Sequence, residues 1–220
     1  EIIASLLAKA RIHTKSIEEA VKAGVPQLEG SFSRLVMSPR KLIAVREPHG
    51  IRPLCMGRIK DSVVFASETC ALDTVGATFV RDIRPGEIYV VNQTGEFSME
   101  DYCNQTSALC IFEHIYFARP DSVIDGQSVN EARVEAGKML AKQHPVEADV
   151  VIGVPDSGLS SAIGYSIQSG IPYGVGLIKN RYIGRTFIQP PQAMRERSAA
   201  LKFNVLKANI DGKRGNVNDA

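Results

Sequence analysis

The sequence predicts an α+β region followed by an α/β region, and three observations carry that expectation. Short alternating or apolar runs between turn residues fill positions 30–91. An amphipathic stretch at 128–143 precedes a Val-rich apolar run at 149–155. A polar turn, a helix and a second apolar run then follow in order, the strand–helix–strand pattern of a parallel sheet. The 220 residues are enough for one large domain or two small ones. With 44% hydrophobic and 23% charged residues, wholesale disorder and collagen-like sequence are excluded. Lys plus Arg (26) against Asp plus Glu (24) leaves +2, so no general attraction to nucleic acid or membrane is expected. No apolar run approaches the ~20 residues that span a bilayer. Four cysteines, none at C-x-x-C spacing, argue against a disulfide scaffold or a self-contained zinc site. Reduced thiols in a cytoplasmic protein are expected.

Taken in order, residues 1–22 read as helix. Ile2, Ile3, Leu6, Leu7 and Ala10 make one apolar stripe, and Ser16 with Glu19 three positions on marks a restart. Positions 31–37, 41–46, 62–67 and 88–91 are the best strands, with turns at Pro-His-Gly 48–50, Arg-Pro 52–53 and Arg-Pro-Gly 84–86. These suit an antiparallel sheet with a helix on one face. The polar stretch 96–106 places a domain boundary near 103, giving domains 1–103 and 104–220. Beyond it, 128–143 is a helix capped by Ser128 with Glu131 at capping-box spacing. Positions 149–155 form a strand covered on both faces. A turn at 156–158, a helix to about 169 and a strand near 173–178 complete the unit.

Two segments carry candidate chemistry. Val-Ile-Gly-Val-Pro-Asp-Ser-Gly at 151–158 ends a buried strand and opens a helix, where backbone N–H groups and the helix dipole favour an anion. Asp156 adds a carboxylate and Ser157 a hydroxyl, either able to help hold a metal–phosphate complex; plain helix capping is the competing reading. Lys-Asn-Arg-Tyr-Ile-Gly-Arg-Thr at 179–186 follows a strand end with cations, an aromatic hydroxyl and a glycine. Such a loop suits a lid over a polyphosphate, with a solvated basic loop as the alternative. Cys110 reads as a buried small hydrophobe and His114 as a satisfied packing residue. Cys70 reads as part of a core strand end, with no adjacent base to make it a nucleophile. Serine-hydrolase, zinc-protease, Walker and Rossmann signatures are all missing from the sequence.

Six collinear runs give the sequence a family resemblance. They are Glu-Pro-His-Gly-Ile-Arg-Pro-Leu at 47–54, Ala-Ser-Glu-Thr-Cys-Ala-Leu-Asp at 66–73, Val-Arg-Asp-Ile-Arg-Pro-Gly-Glu at 80–87, Ile-Tyr-Phe-Ala-Arg-Pro-Asp-Ser at 115–122, Val-Pro-Asp-Ser at 154–157 and Lys-Asn-Arg-Tyr-Ile-Gly-Arg-Thr-Phe-Ile at 179–188. In this order and spacing, up to Arg214, the chain resembles the glutamine phosphoribosylpyrophosphate amidotransferase family. The resemblance implies part of an αββα N-terminal-nucleophile hydrolase sandwich, then part of a phosphoribosyltransferase parallel-sheet domain. It implies an enzyme that releases ammonia from glutamine and transfers it to phosphoribosyl pyrophosphate, giving 5-phosphoribosylamine at the start of purine biosynthesis. Asp156, Ser157 and Gly158 match the pyrophosphate loop, with Ser157 at a magnesium-site position. Lys179, Tyr182 and Arg185 match the flexible loop that closes over substrate. Cys110 matches the first ligand of the four-iron, four-sulfur cluster in the cluster-bearing branch. Nucleotide feedback inhibitors and a homo-oligomer are implied as well, without nucleic acid or membrane partners.

The sequence also departs from that pattern. The family nucleophile is an N-terminal cysteine, whereas position 1 is Glu1. The other three cluster cysteines have no counterparts, so no cluster is expected in this chain. An Asp-Asp strand end expected after Arg214 is replaced by Gly-Asn-Val-Asn-Asp-Ala at 215–220, which reads as a tail. The chain is therefore expected to be an internal fragment, inactive alone, with Val151 and Ile152 left uncovered. The alternative expectation is a non-catalytic phosphate- or nucleotide-binding module of phosphoribosyltransferase type.

Overall fold

A break at residues 13–16 divides the N-terminal helical stretch into α1 (Ile2–Ile12) and α2 (Ile17–Gly24). Ser16 makes the break: its hydroxyl accepts from the Glu19 N–H at 3.3 Å, and Glu19 Oε2 accepts from the Lys15 N–H at 2.9 Å. The computed structural model describes residues 1–183 and 192–219. The chain divides into two units, one of Glu1–Glu113 with Asp121–Gly126, the other of His114–Pro120 with the described residues from Gln127 onward. Among the described residues, no helix is long and apolar enough to cross a membrane.

The first unit is layered helix, sheet, sheet, helix. Strands β1 (Ser33–Ser38), β2 (Lys41–Arg46), β3 (Cys55–Ile59) and β4 (Ser62–Ala66) precede α3 (Thr69–Thr74). Strands β5 (Thr78–Asp82), β6 (Ile88–Asn92), β7 (Gly95–Met99) and β8 (Val123–Ile124) follow. One antiparallel sheet has the order β1-β2-β6-β7, the other β4-β3-β5. Alternation along β2 explains the layering. Ile43 and Val45 face Val21 and Val25 of the helical layer, while Ala44 faces Met56 and Ile83 between the sheets. On β3, Met56 faces the same inter-sheet core and its neighbour Cys55 packs on Leu72 of α3. This is the αββα arrangement expected from the resemblance.

One expectation needs correction here. Cys70 is buried in helix α3, not at a strand end. Residues 95–99 form an edge strand, and the first unit's chain runs on to Glu113. Its backbone explains why, since Ala108 N–H donates to His49 O at 2.7 Å and Cys110 N–H to Ile51 O at 3.0 Å. Those bonds tie 104–113 to the turn after β2.

A charged network fixes that turn. Arg46 is fully buried, and all five guanidinium N–H positions are used. Nε donates to Arg52 O, Nη1 to Ile83 O and Asp125 Oδ1, and Nη2 to Gly50 O and Asp125 Oδ2. Burial works against ionisation of Glu87, but hydrogen bonds from Arg81, Ser98 and the Arg84 N–H outweigh it and lower its pKa. Asp82 behaves oppositely. Burial first, then the Asp125 carboxylate, push it up to about 6; Arg46, Arg81 and the Asp125 N–H pull the other way without prevailing.

This gives a signed prediction. The folded state holds the Asp82 proton to about pH 6, whereas an unfolded aspartate loses it near 3.8. Stability from this group therefore falls as pH rises from about 4 to 6 and is flat above. Asp82→Asn should stabilise the protein by about 1–2 kcal/mol at pH 7.5, after discounting for partial exposure, and by nothing near pH 4. Urea denaturation at both pH values checks it; an equal effect at both would refute the assignment.

In the second unit, β9 (Gln127–Ser128) leads into α4 (Val129–Gln143), whose cap Ser128 accepts from the Glu131 N–H at 3.3 Å. Then come β10 (Val150–Gly153), α5 (Gly158–Ser169), β11 (Leu177–Lys179), α6 (Gln192–Lys202), β12 (Phe203–Val205), α7 (Lys207–Ile210) and β13 (Gly215–Asn218). Residues 215–218 are thus a strand, not a tail, paired parallel with β10 from Val150↔Gly215 to Gly153↔Asn218. A further parallel bridge joins Val151 to Tyr173. Val151 and Ile152 are consequently buried, correcting the expectation that they lie uncovered. Helices α4 and α5 cross at two glycines. A Cβ on Gly137 would lie 1.9 Å from Ser161 O, and one on Gly164 1.9 Å from Val134 O.

Candidate functional site

The candidate site lies where β10 ends. Val-rich β10 is buried along its length and stops at Gly153, beyond which the chain turns through Val154, Pro155 and Asp156. The Pro155–Asp156 peptide is cis. Helix α5 starts at Gly158, so its positive end points at this turn. Ser157 occupies the N-cap position, yet its side chain makes no cap hydrogen bond. Simple capping therefore does not account for its hydroxyl. Gly158 serves packing instead. Its N–H donates to Val154 O at 3.0 Å, and a Cβ there would sit 2.5 Å from Asn218 O. It lets α5 close on the end of β13.

The β11 segment meets this turn directly. Lys179 Nζ forms an ion pair with Asp156 Oδ2, joining residues 23 positions apart in sequence. Lys179 is the last residue of β11 and pairs in register with Phe203 of β12, and Asn180 N–H donates to Lys202 O at 2.7 Å. The backbone under Lys179 is thus fixed and its long side chain is the adjustable part. Just beyond, Asn180 Oδ1 accepts from the Tyr182 N–H at 3.1 Å, and the Tyr182 side chain is fully exposed. The structure thus pairs Asp156 with Lys179, with Ser157 the next residue along the turn, and begins the loop that carries Tyr182. Arg185 lies outside the described residues.

Sequence reasoning missed one neighbour. Asn218 ends β13 with its O accepting from the Val154 N–H at 2.8 Å, so it and Asp219 stand beside the turn. The signal was faint, because Gly-Asn-Val-Asn carries a single apolar residue.

Among the described residues, no group of three His, Cys, Asp or Glu side chains gathers to hold a metal ion. Cys55 donates to Ala66 O at 3.4 Å in the core, and burial pushes its thiol up to about 12, far from the thiolate a metal needs. Cys110 is only half-buried, correcting its reading as a core residue, and supplies a single thiol. The residues present do not fit an iron–sulfur cluster. His114 is half-buried, and among the described residues its buried Nε2 has no hydrogen-bond partner, against the expectation of a satisfied packing residue.

Residues 1–74 match a glutamine amidotransferase domain family. The chain is 48% identical over 215 residues to the amidophosphoribosyltransferase of Archaeoglobus fulgidus, covering 97% of this chain and 47% of that protein. It is 46% identical over 214 residues to that of Bacillus subtilis, covering 97% and 44%. Among solved structures, the allosteric regulatory enzyme of purine biosynthesis superposes with a TM-score of 0.88 at 45% identity, covering 99% of this chain and 46% of that one. The glutamine phosphoribosylpyrophosphate amidotransferase from B. subtilis, complexed with ADP and GMP, gives 0.87 at 45% identity, covering 98% and 47%. These matches do not favour the alternative of a separate non-catalytic binding module. Over nearly its whole length the chain is similar to amidophosphoribosyltransferases, and it spans about half the length of the curated relatives it matches.

Proposed function

We propose that this sequence serves an enzyme that moves glutamine-derived ammonia onto phosphoribosyl pyrophosphate, giving 5-phosphoribosylamine and pyrophosphate. The first unit belongs to the glutamine side and the second to the phosphoribosyl side. The observation that carries the reading is the Asp156–Lys179 ion pair, which brings the turn after β10 and the root of the following loop to one place. As the C–O bond to pyrophosphate breaks, negative charge collects on the leaving oxygens. The Lys179 ammonium, the Ser157 hydroxyl and the positive end of α5 are groups that would stabilise that charge. Tyr182, with Arg185 beyond it, would close over the diphosphate and exclude water. Magnesium carried on the diphosphate would take oxygen ligands and spread the leaving-group charge; Asp156 and Ser157 are donors of that kind. Nucleotides are proposed as regulators because the B. subtilis relative was solved with ADP and GMP.

The test isolates the phosphoribosyl step by supplying ammonium in place of glutamine, in an enzyme carrying these residues. Lys179→Ala should lower kcat/KM for phosphoribosyl pyrophosphate by about tenfold or more, and Ser157→Ala by a smaller factor. Pyrophosphate release measures both. Unchanged kcat/KM in Lys179→Ala would defeat the proposed role.

A further inference from the structure

The Asp156–Lys179 pair poses a question that the proposed reaction leaves open. In the structure the carboxylate that would meet a cation and the ammonium that would meet a phosphate neutralise each other. While they are paired, each meets a ligand with its charge largely compensated by the other. The Asp156 side chain is 74% exposed and that of Lys179 27%, so water screens the pair and its cohesion is small. A diphosphate presents several negative charges to Lys179 where Asp156 presents one, and the N-terminus of α5 adds attraction for the diphosphate only. The backbones on both sides are held, Lys179 by the β12 register and Asp156 by the turn into α5. Opening the pair therefore requires only side-chain rotation.

We propose that this ion pair is a ligand-exchanged latch. A diphosphate takes Lys179 from Asp156, and the released carboxylate becomes a ligand for the divalent cation that the diphosphate carries. The inference rests on the diphosphate reading above and adds an order to it. Anion capture by Lys179 and cation capture by Asp156 are two halves of one exchange, so metal-free diphosphate meets a competitor that the magnesium complex turns into a partner.

Calorimetric titration of the 220-residue chain tests it, using inorganic pyrophosphate with EDTA in one arm and with excess Mg²⁺ in the other. Asp156→Asn keeps the size of the side chain and removes the competing charge. Its affinity for metal-free pyrophosphate should rise about two- to fivefold, the worth of one exposed ion pair. Its affinity for the magnesium complex should fall, so the two arms cross. Lys179→Gln, a second variant, should weaken both arms while keeping a preference for the magnesium complex. Matched circular dichroism and melting temperature show that the variants are folded. If Asp156→Asn leaves both arms unchanged or moves them the same way, the latch is overturned although the site binds diphosphate. If the unsubstituted chain binds neither form, the diphosphate reading fails and the latch with it.

Discussion

Gly164→Ala should destabilise the second unit by about 3 kcal/mol or more, although alanine is the better helix former by about 1 kcal/mol. The sign is decided by what the new methyl group meets. At Gly164 it would lie 1.9 Å from Val134 O, 2.8 Å from Val134 C and 3.1 Å from Lys138 N, all backbone atoms of α4. No side chain can rotate away, so the helices must separate. Gly137 is the reciprocal contact, 1.9 Å from Ser161 O, and Gly137→Ala should behave alike. Separation would loosen the packing of Ala141 on Ala162 and Tyr165, and with it the β10 strand that ends at the candidate site. Guanidinium denaturation checks the prediction. A variant as stable as the parent, the outcome helix propensity alone gives, would show that the two helices do not approach so closely.

Arg46→Met should cost the first unit about 3–5 kcal/mol. The loss comes less from a missing attraction than from what is left behind. Without the guanidinium, the carbonyls of Arg52, Ile83 and Gly50 lose a donor, and the Asp125 carboxylate faces Asp82 with no buried cation between. Arg46→Lys should recover only part of the loss, because an ammonium has three donors and cannot make the two-pronged contact with Asp125. Adding Asp125→Leu to Arg46→Met should recover some stability by removing the stranded charge, a coupling readable in a double-mutant cycle. A single-variant loss below about 1 kcal/mol would contradict the network.

Much of this architecture was legible in the sequence, and the reasons differ by element. The capped helices were clear because Ser16 with Glu19 and Ser128 with Glu131 state their starts in side-chain chemistry. Strand β2 was clear because Leu42 to Val45 form an apolar run between charged residues. Strand β3 was hidden by Gly57, a weak strand former placed there because a Cβ would meet Thr78 O at 2.8 Å beside a register shift in the β3–β5 pairing. The edge strand β7 looked like a polar linker because its first three residues are exposed. Strand β13 was misread for a deeper reason: parallel pairing uses backbone groups, and beside the strongly apolar β10 a weakly apolar partner suffices.

The candidate site divides in the same way. Asp156, Ser157 and Lys179 stood out as residue types at strand ends, and the structure pairs Asp156 with Lys179. The packing role of Gly158 could not be read from the sequence, since it depends on the position of Asn218, far along the chain. The buried Arg46 was likewise invisible: it ends strand β2 like any surface cation, and its partner Asp125 comes from a distant turn whose positive φ of 46° gives no signal in the residue order.

The most direct measurement of the central claim is an amide NMR titration of the 220-residue chain with magnesium pyrophosphate. The account predicts that the signals of Asp156, Ser157 and Lys179 to Tyr182 shift together along one binding curve, while those of the first unit's core stay in place. Shifts confined to one of the two segments, or clustered instead around the groove lined by Pro145, Gln168 and Arg214, would contradict it.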